Sequence, residues 1–119
     1  MNATKNQVFA GKDSALFARV GTAFRSHFGL EPAFAYFAPG RVEVLGNHTD
    51  YNEGFVLSSA LAQGVMMAMR PADPSSRTAR LYAADLEERW EFDPFCPAPA
   101  STAPWANYIL GVLHGLMTR

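Results

Sequence analysis

Gly40-Arg41-Val42-Glu43-Val44-Leu45-Gly46-Asn47-His48-Thr49-Asp50-Tyr51-Asn52 is the stretch on which the reading of this 119-residue chain turns. A short β-rich run, Val42 to Leu45, meets a glycine and then Asn47 to Glu53, where no side chain is aliphatic. In a strand, successive side chains point to opposite faces, so Arg41 and Glu43 share one face and Val42 and Val44 the other. The polar face leads directly into the polar loop.

Upstream, Phe34-Ala35-Tyr36-Phe37 is a second β-rich run, separated from the first by the turn signal Ala38-Pro39-Gly40, so two strands are expected. Before it, Phe17, Val20, Phe24 and Phe28 recur at helical spacing. This predicts a helix over 14–28, capped by Asp13 or Ser14 and stopped by Gly29 and Pro32. Downstream, residues 55–61 (FVLSSAL) are apolar enough to be buried but too short for periodicity to choose between strand and helix. Residues 63–69, 78–84 and 89–92 read as strands, with a turn at 71–76 between the first two, and together they suggest an antiparallel meander. Residues 93–104 hold four prolines and form a connecting loop. A second helix is expected from Trp105 to at least Met117, with Trp105, Ile109, Val112, Leu113 and Leu116 as its apolar stripe. The chain stops on that helix with no Gly or Asn to cap it, which reads as a cut end.

Composition narrows the function. Ten Lys and Arg against eleven Asp and Glu give a formal charge of −1. That balance disfavours nucleic acid and anionic membranes as partners. No apolar run, Val65 to Met69 included, approaches the ~20 residues that cross a bilayer. The first residues, MNATKNQVFAGK, lack the features of a secretory signal, so the expected location is the cytoplasm. Cys96 is the only cysteine and has no charged neighbour to activate it.

A cation, an amide, an imidazole and a carboxylate within ten positions suit a neutral polyhydroxylated ligand. Each buried hydroxyl needs a partner, and charged acceptors bind hydroxyls more strongly than neutral ones. Two other readings of the same residues stay open. Asp, Asn, Thr and Gly are ordinary turn formers, and Arg41 could pair with Glu43 or Glu53 on the surface. His48-x-Asp50 could donate two metal ligands, although zinc sites need three or four. Ser58 and Ser59 lack the glycine elbow of a nucleophile.

The segment Gly40–Asn52 resembles the galactokinase signature Gly-Arg-Val-Asn-Leu-Ile-Gly-Glu-His-Thr-Asp-Tyr-Asn at all but positions 43 and 47, allowing like aliphatics. Glu53-Gly54-Phe55-Val56-Leu57, Ala38-Pro39 and Trp105-Ala106-Asn107-Tyr108 extend the likeness. The resemblance implies the GHMP sugar-kinase superfamily. The chain would be the incomplete N-terminal lobe of a ribosomal S5 domain 2-like fold, an α+β or α/β two-layer arrangement with a mixed sheet and helices packed on one side. It implies one galactokinase-like portion over 1–119, with the sugar-binding region at 12–61. It also implies transfer of the ATP γ-phosphoryl group, with Mg2+, to the anomeric C1 hydroxyl of galactose or a related monosaccharide.

By that resemblance, Arg41 is the catalytic residue, beside the reacting hydroxyl, where its charge favours the alkoxide and the moving phosphoryl group. Asp50 accepts hydrogen bonds from ring hydroxyls, and His48 and Asn47 hold others. Trp105 and Tyr108 lie near the adenine base, although an aromatic pair at this spacing also suits a helix core. No metal ligand set is expected from this chain. Glu43 stands where the signature has Asn, and Asn47 where it has Glu. A neutral amide at 47 loses charge-assisted strength and gains a donor, so Glu43 is a candidate substitute carboxylate or a partner for Arg41. The exchange leaves N-acetylgalactosamine or another sugar as an alternative substrate, and a non-catalytic sugar sensor as an alternative role.

The family's phosphate loop, its catalytic aspartate and its C-terminal lobe are missing from these residues. No Walker motif replaces them, because Gly11-Lys12 is followed by Asp13. ATP and Mg2+ would therefore be bound mainly by parts outside this chain, and these residues alone are expected to be inactive.

Overall fold

The computed structural model describes residues 14–118. The proposed cap Asp13 and residues 1–12, Gly11-Lys12 among them, lie outside the described residues. The elements run α1 (Ser14–Phe28), β1 (Phe34–Leu45), a 3-10 turn (Asp50–Asn52), β2 (Leu57–Met69), β3 (Ala79–Ala83), β4 (Glu88–Phe92) and α2 (Ala106–Met117). The content is α+β, and the described strands form two separate antiparallel pairs, β1–β2 and β3–β4.

Helix α1 ends where the sequence predicts. Gly29 adopts a left-handed conformation at φ 67°, and its N–H donates to the Arg25 carbonyl at 2.9 Å. After it, the chain departs from the two short strands expected around Ala38-Pro39-Gly40, because β1 runs unbroken from Phe34 to Leu45. The ladder opens at this point. Pro39 faces Gly64 and Arg41 faces Ala60, so residues 61–63 of β2 bulge opposite Gly40. A residue without an N–H is tolerated where the ladder is already interrupted. Of the ambiguous stretch 55–61, residues 57–61 join 63–69 in one long strand, while residues 55 and 56 fall with 46–54 in the tip of a long hairpin.

The expected meander is not formed. Asp73 Oδ1 accepts from the Ser75 N–H at 2.8 Å and from its hydroxyl at 2.6 Å, and the Ser76 N–H donates to the Asp73 carbonyl at 2.8 Å. The turn at 71–76 is therefore real, but it carries the chain from the first hairpin to the second instead of folding β2 onto β3. A turn signal specifies local geometry and leaves the pairing partner to be chosen by side-chain burial.

The second hairpin separates two chemistries by face. Arg80 and Tyr82 pair across the ladder with Glu91 and Arg89, and this polar face meets α1. There His27 stacks on Tyr82 at 3.5 Å between ring centroids, Arg19 pairs with Asp85, and the Arg80 guanidinium lies 5.6 Å from the centre of the Phe28 ring. Leu81, Trp90 and Phe92 occupy the other face and pack with Trp105 against Ala100, Ala103, Ala106 and Leu110. The helices thus lie on opposite faces of this hairpin, which corrects the expectation of a mixed sheet with helices on one side. Two-stranded sheets with an apolar face and a polar one can accept a helix on each. No helix among the described residues is long and apolar enough to cross a membrane.

Candidate sugar-binding loop

The tip of the first hairpin is a closed loop built around Thr49. Its hydroxyl lies 2.6 Å from the Gly46 carbonyl and 3.2 Å from that of Phe55, and its N–H donates to the Gly46 carbonyl at 2.9 Å. The Thr49 carbonyl accepts from the N–H groups of Asn52 at 3.1 Å and Gly54 at 2.8 Å. One residue therefore ties the entry of the loop to its exit. Two glycines make the closure possible. Gly46 has φ 101°, and a Cβ there would stand 2.7 Å from the Phe55 carbonyl oxygen; at Gly54 a Cβ would stand 2.6 Å from Thr49 Cβ.

His48 sits in the left-handed region at φ 69°. Its carbonyl accepts from the Asn52 side-chain amide at 2.7 Å, while Nδ1 lies 2.5 Å from the Tyr51 hydroxyl. The two rings meet edge to face, with centroids 5.8 Å apart. Tyr51 thereby orients the imidazole and leaves Nε2 for another partner. Asn47 occupies the same exposed turn, and Asp50 opens the 3-10 turn. Thr49, Tyr51 and Asn52 hold the loop in shape, a part that their residue types alone do not reveal in the sequence. The signal for it is their setting, as hydroxyl and amide side chains inside a glycine-bounded loop.

Arg41 and Glu43 stand on the strand that delivers the loop, opposite Ala60 and Ser58 with no register shift between them, so they share a face as the alternation predicts. Arg41 is exposed and Glu43 half-buried. Among the described residues Arg41 forms no ion pair with Glu43 or Glu53. Glu43 Oε1 is buried without a hydrogen-bond partner. A buried acceptor left in this state costs its full desolvation, so a donor is called for at that atom. Among the described residues no three carboxylate, imidazole or thiol groups gather into a metal site.

Trp105 and Tyr108 lie apart from this loop, at the start of α2. Trp105 is half-buried against the core and its indole N–H donates to Glu88 at 2.5 Å. Tyr108 is 81% exposed. With Pro104 and Asn107 they line an open hollow on the surface.

Comparison with known proteins matches this arrangement. A family model described as the galactokinase galactose-binding signature matches residues 22–71, which span the end of α1, β1, the loop and β2. A galactokinase of Actinobacillus pleuropneumoniae serotype 5b is 43% identical over 96 residues, 81% of this chain and 24% of that protein. Galactokinases of Haemophilus influenzae strain PittEE and Chloroflexus aggregans are 41% and 39% identical, over 80% and 82% of the chain. The chain spans about a quarter of the length of these curated relatives. It carries the galactokinase galactose-binding signature and is similar to galactokinases over about four-fifths of its own length.

Proposed function

We propose that this chain is the sugar-gripping N-terminal portion of a galactokinase, a lobe of the GHMP kinase fold that transfers the γ-phosphoryl group of ATP to the C1 hydroxyl of galactose. In that reaction the C1 oxygen gains the phosphoryl group and loses its proton, and ADP leaves. The observation that carries the reading is the closed loop 46–54, held by Thr49 and preceded on β1 by a cation and an unsatisfied carboxylate oxygen, in a segment that matches the family signature. Such a loop presents several hydrogen-bonding groups without first having to order itself, and phosphoryl transfer asks mainly for orientation and charge stabilisation.

In this reading Arg41 stands beside the C1 hydroxyl and stabilises developing negative charge. Asp50 accepts from ring hydroxyls, while Asn47 and His48 Nε2 hold others. Glu43 supplies the charged acceptor that position 47 lacks, which fits its unpartnered buried oxygen. ATP supplies the phosphoryl group, with Mg2+ neutralising its phosphates. The hollow beside Trp105 and Tyr108 suits an adenine ring, while phosphates and metal are held by residues beyond this segment. The protein acts in the cytoplasm on a free monosaccharide.

The test uses the full-length protein with a coupled ADP-release assay and galactose, N-acetylgalactosamine and glucose as acceptors. Turnover on galactose is expected. Exclusive turnover on the N-acetylated sugar would shift the substrate in the direction of the extra donor at Asn47, and sugar binding without ADP release would make the protein a sensor. Asp50→Ala should raise the KM for galactose and lower kcat, costing at least tenfold in kcat/KM, or about 1.4 kcal/mol of transition-state stabilisation. Unchanged kinetics would remove Asp50 from the site. Residues 1–119 alone should show no turnover.

A further inference from the structure

Between the polar face of the second hairpin and the last turn of α1 lies a second cluster of charged and polar side chains, which shares no residue with the loop segment 40–54. A cavity of about 60 Å3 lies between them, lined by His27, Phe28, Arg80, Tyr82, Arg89 and Glu91. That is room for roughly four water-sized spheres, the size of one tetrahedral anion with its oxygens.

Its wall is rich in donors. Arg19, Arg25 and Arg77 are each matched by a carboxylate, on Asp85, Glu31 and Asp93. Arg80 and Arg89 have no such partner among the described residues, although Glu91 faces Arg80 across the ladder. The only hydrogen bond from either guanidinium among the described residues is that of Arg89 Nη2 with His27 Nδ1, at 2.8 Å. A guanidinium can only donate, so Nδ1 is the acceptor and the neutral imidazole carries its proton on Nε2 as a further donor. The cavity is thus lined by two guanidinium groups, an imidazole and a tyrosine ring against a single carboxylate, Glu91. Arginine forks match oxyanions in bidentate geometry.

We propose that the cavity between α1 and the β3–β4 hairpin binds a small tetrahedral oxyanion of the phosphate class, held by Arg80 and Arg89 with Glu91 as its internal competitor. Occupancy bridges His27 at the end of α1 to the guanidinium groups of the second hairpin, beside the Arg19–Asp85 pair that already joins the two elements. The inference is independent of which sugar, if any, the loop binds.

Inorganic phosphate is the probe, titrated into the full-length protein by calorimetry at constant ionic strength. A saturable site is expected, competed by sulfate. Arg89→Gln should weaken it at least tenfold, and Glu91→Gln should tighten it by removing the competing carboxylate. Phosphate and sulfate also stabilise proteins by exclusion from their surfaces, so a thermal shift alone decides nothing. Binding retained in Arg89→Gln would place phosphate elsewhere and overturn the proposal, as would the absence of saturable binding. Should that variant fail to fold, the arginine Nε–H resonances of the unmodified protein decide the matter. Those of Arg80 and Arg89 should move on titration, and if they stay fixed the proposal fails.

Discussion

Gly46 shows how much of the loop rests on single atoms. Its φ of 101° is closed to residues with a side chain at low cost, and a methyl group there would lie 2.7 Å from the Phe55 carbonyl oxygen and 2.9 Å from Val56 Cα. Both are backbone atoms and cannot swing aside. Gly46→Ala is therefore expected to destabilise the protein by about 2 kcal/mol or more, from dihedral strain of ~1–3 kcal/mol with the displacement of Phe55 added to it. Urea unfolding checks the stability, and the KM for sugar should rise in the same variant because Thr49 loses its carbonyl partners. An unchanged midpoint would show that the loop re-forms by another route. From sequence, Gly46 and Gly54 were legible as the ends of a turn. Their necessity was not, because it depends on the opposing segment.

Among the elements, the connector between β4 and α2 is held by side chains that imitate backbone. The Asn107 amide accepts from the Ala100 N–H at 2.7 Å and donates to the Ala100 carbonyl at 3.0 Å, satisfying both polar groups of a buried residue. At the other end of this proline-rich stretch, Asp93 accepts from Arg77 through Nη2 at 2.6 Å and Nε at 3.1 Å, and from the Phe95 N–H at 2.9 Å. The Arg77 hydrogen bonds first, and the backbone N–H of Phe95 second, hold the Asp93 carboxyl below its ordinary range. A carboxyl with a lowered folded-state pKa contributes stability that is present above its unfolded pKa and lost as the pH falls through the folded value. Asp93→Asn should thus melt below the unmodified protein at neutral pH, with the gap closing on acidification below about pH 4. Melting temperatures measured from neutral pH down to about pH 2 test this, and a gap independent of pH would assign the loss to packing. The periodic elements here were legible. Helix α1 was expected and found at 14–28, α2 begins one residue after its expected start, and β3 and β4 differ from expectation by a residue at their ends. The long strands were not legible, because Pro39 is a turn signal until a partner strand bulges opposite it.

At the scale of the molecule, every buried hydrophobic among the described residues except Met66 lies in one place. Ala100, Ala103, Ala106 and Leu110 form the core cluster between α2 and the second hairpin. Leu110 is the one large side chain in that cluster, at 3% exposure. Leu110→Ala should cost ~2–5 kcal/mol, the usual range for such a cavity. Thermal unfolding followed by circular dichroism checks the size of the loss. The first hairpin is held differently, by its ladder and by contact of β2 with α1, and Tyr36, Val42, Val44, Leu45 and Val65 along it are exposed. The same variant is accordingly expected to leave the KM for sugar unchanged at temperatures where it stays folded. A raised KM would couple the two hairpins more tightly than their contacts indicate.

The order of residues alone determined which segments repeat with helical or strand periodicity and which polar groups gather at 40–52, because both properties are local in the chain. It also carried the family likeness, which lies in residue identities. Tertiary structure decided which strand pairs with which, since pairing depends on burying faces contributed by segments far apart in sequence. It alone seated the helices on opposite faces of the second hairpin, brought Arg80, Arg89 and His27 around one cavity, and left Glu43 Oε1 buried without a donor. Each of those outcomes is a matter of distance in space between groups that the sequence keeps apart.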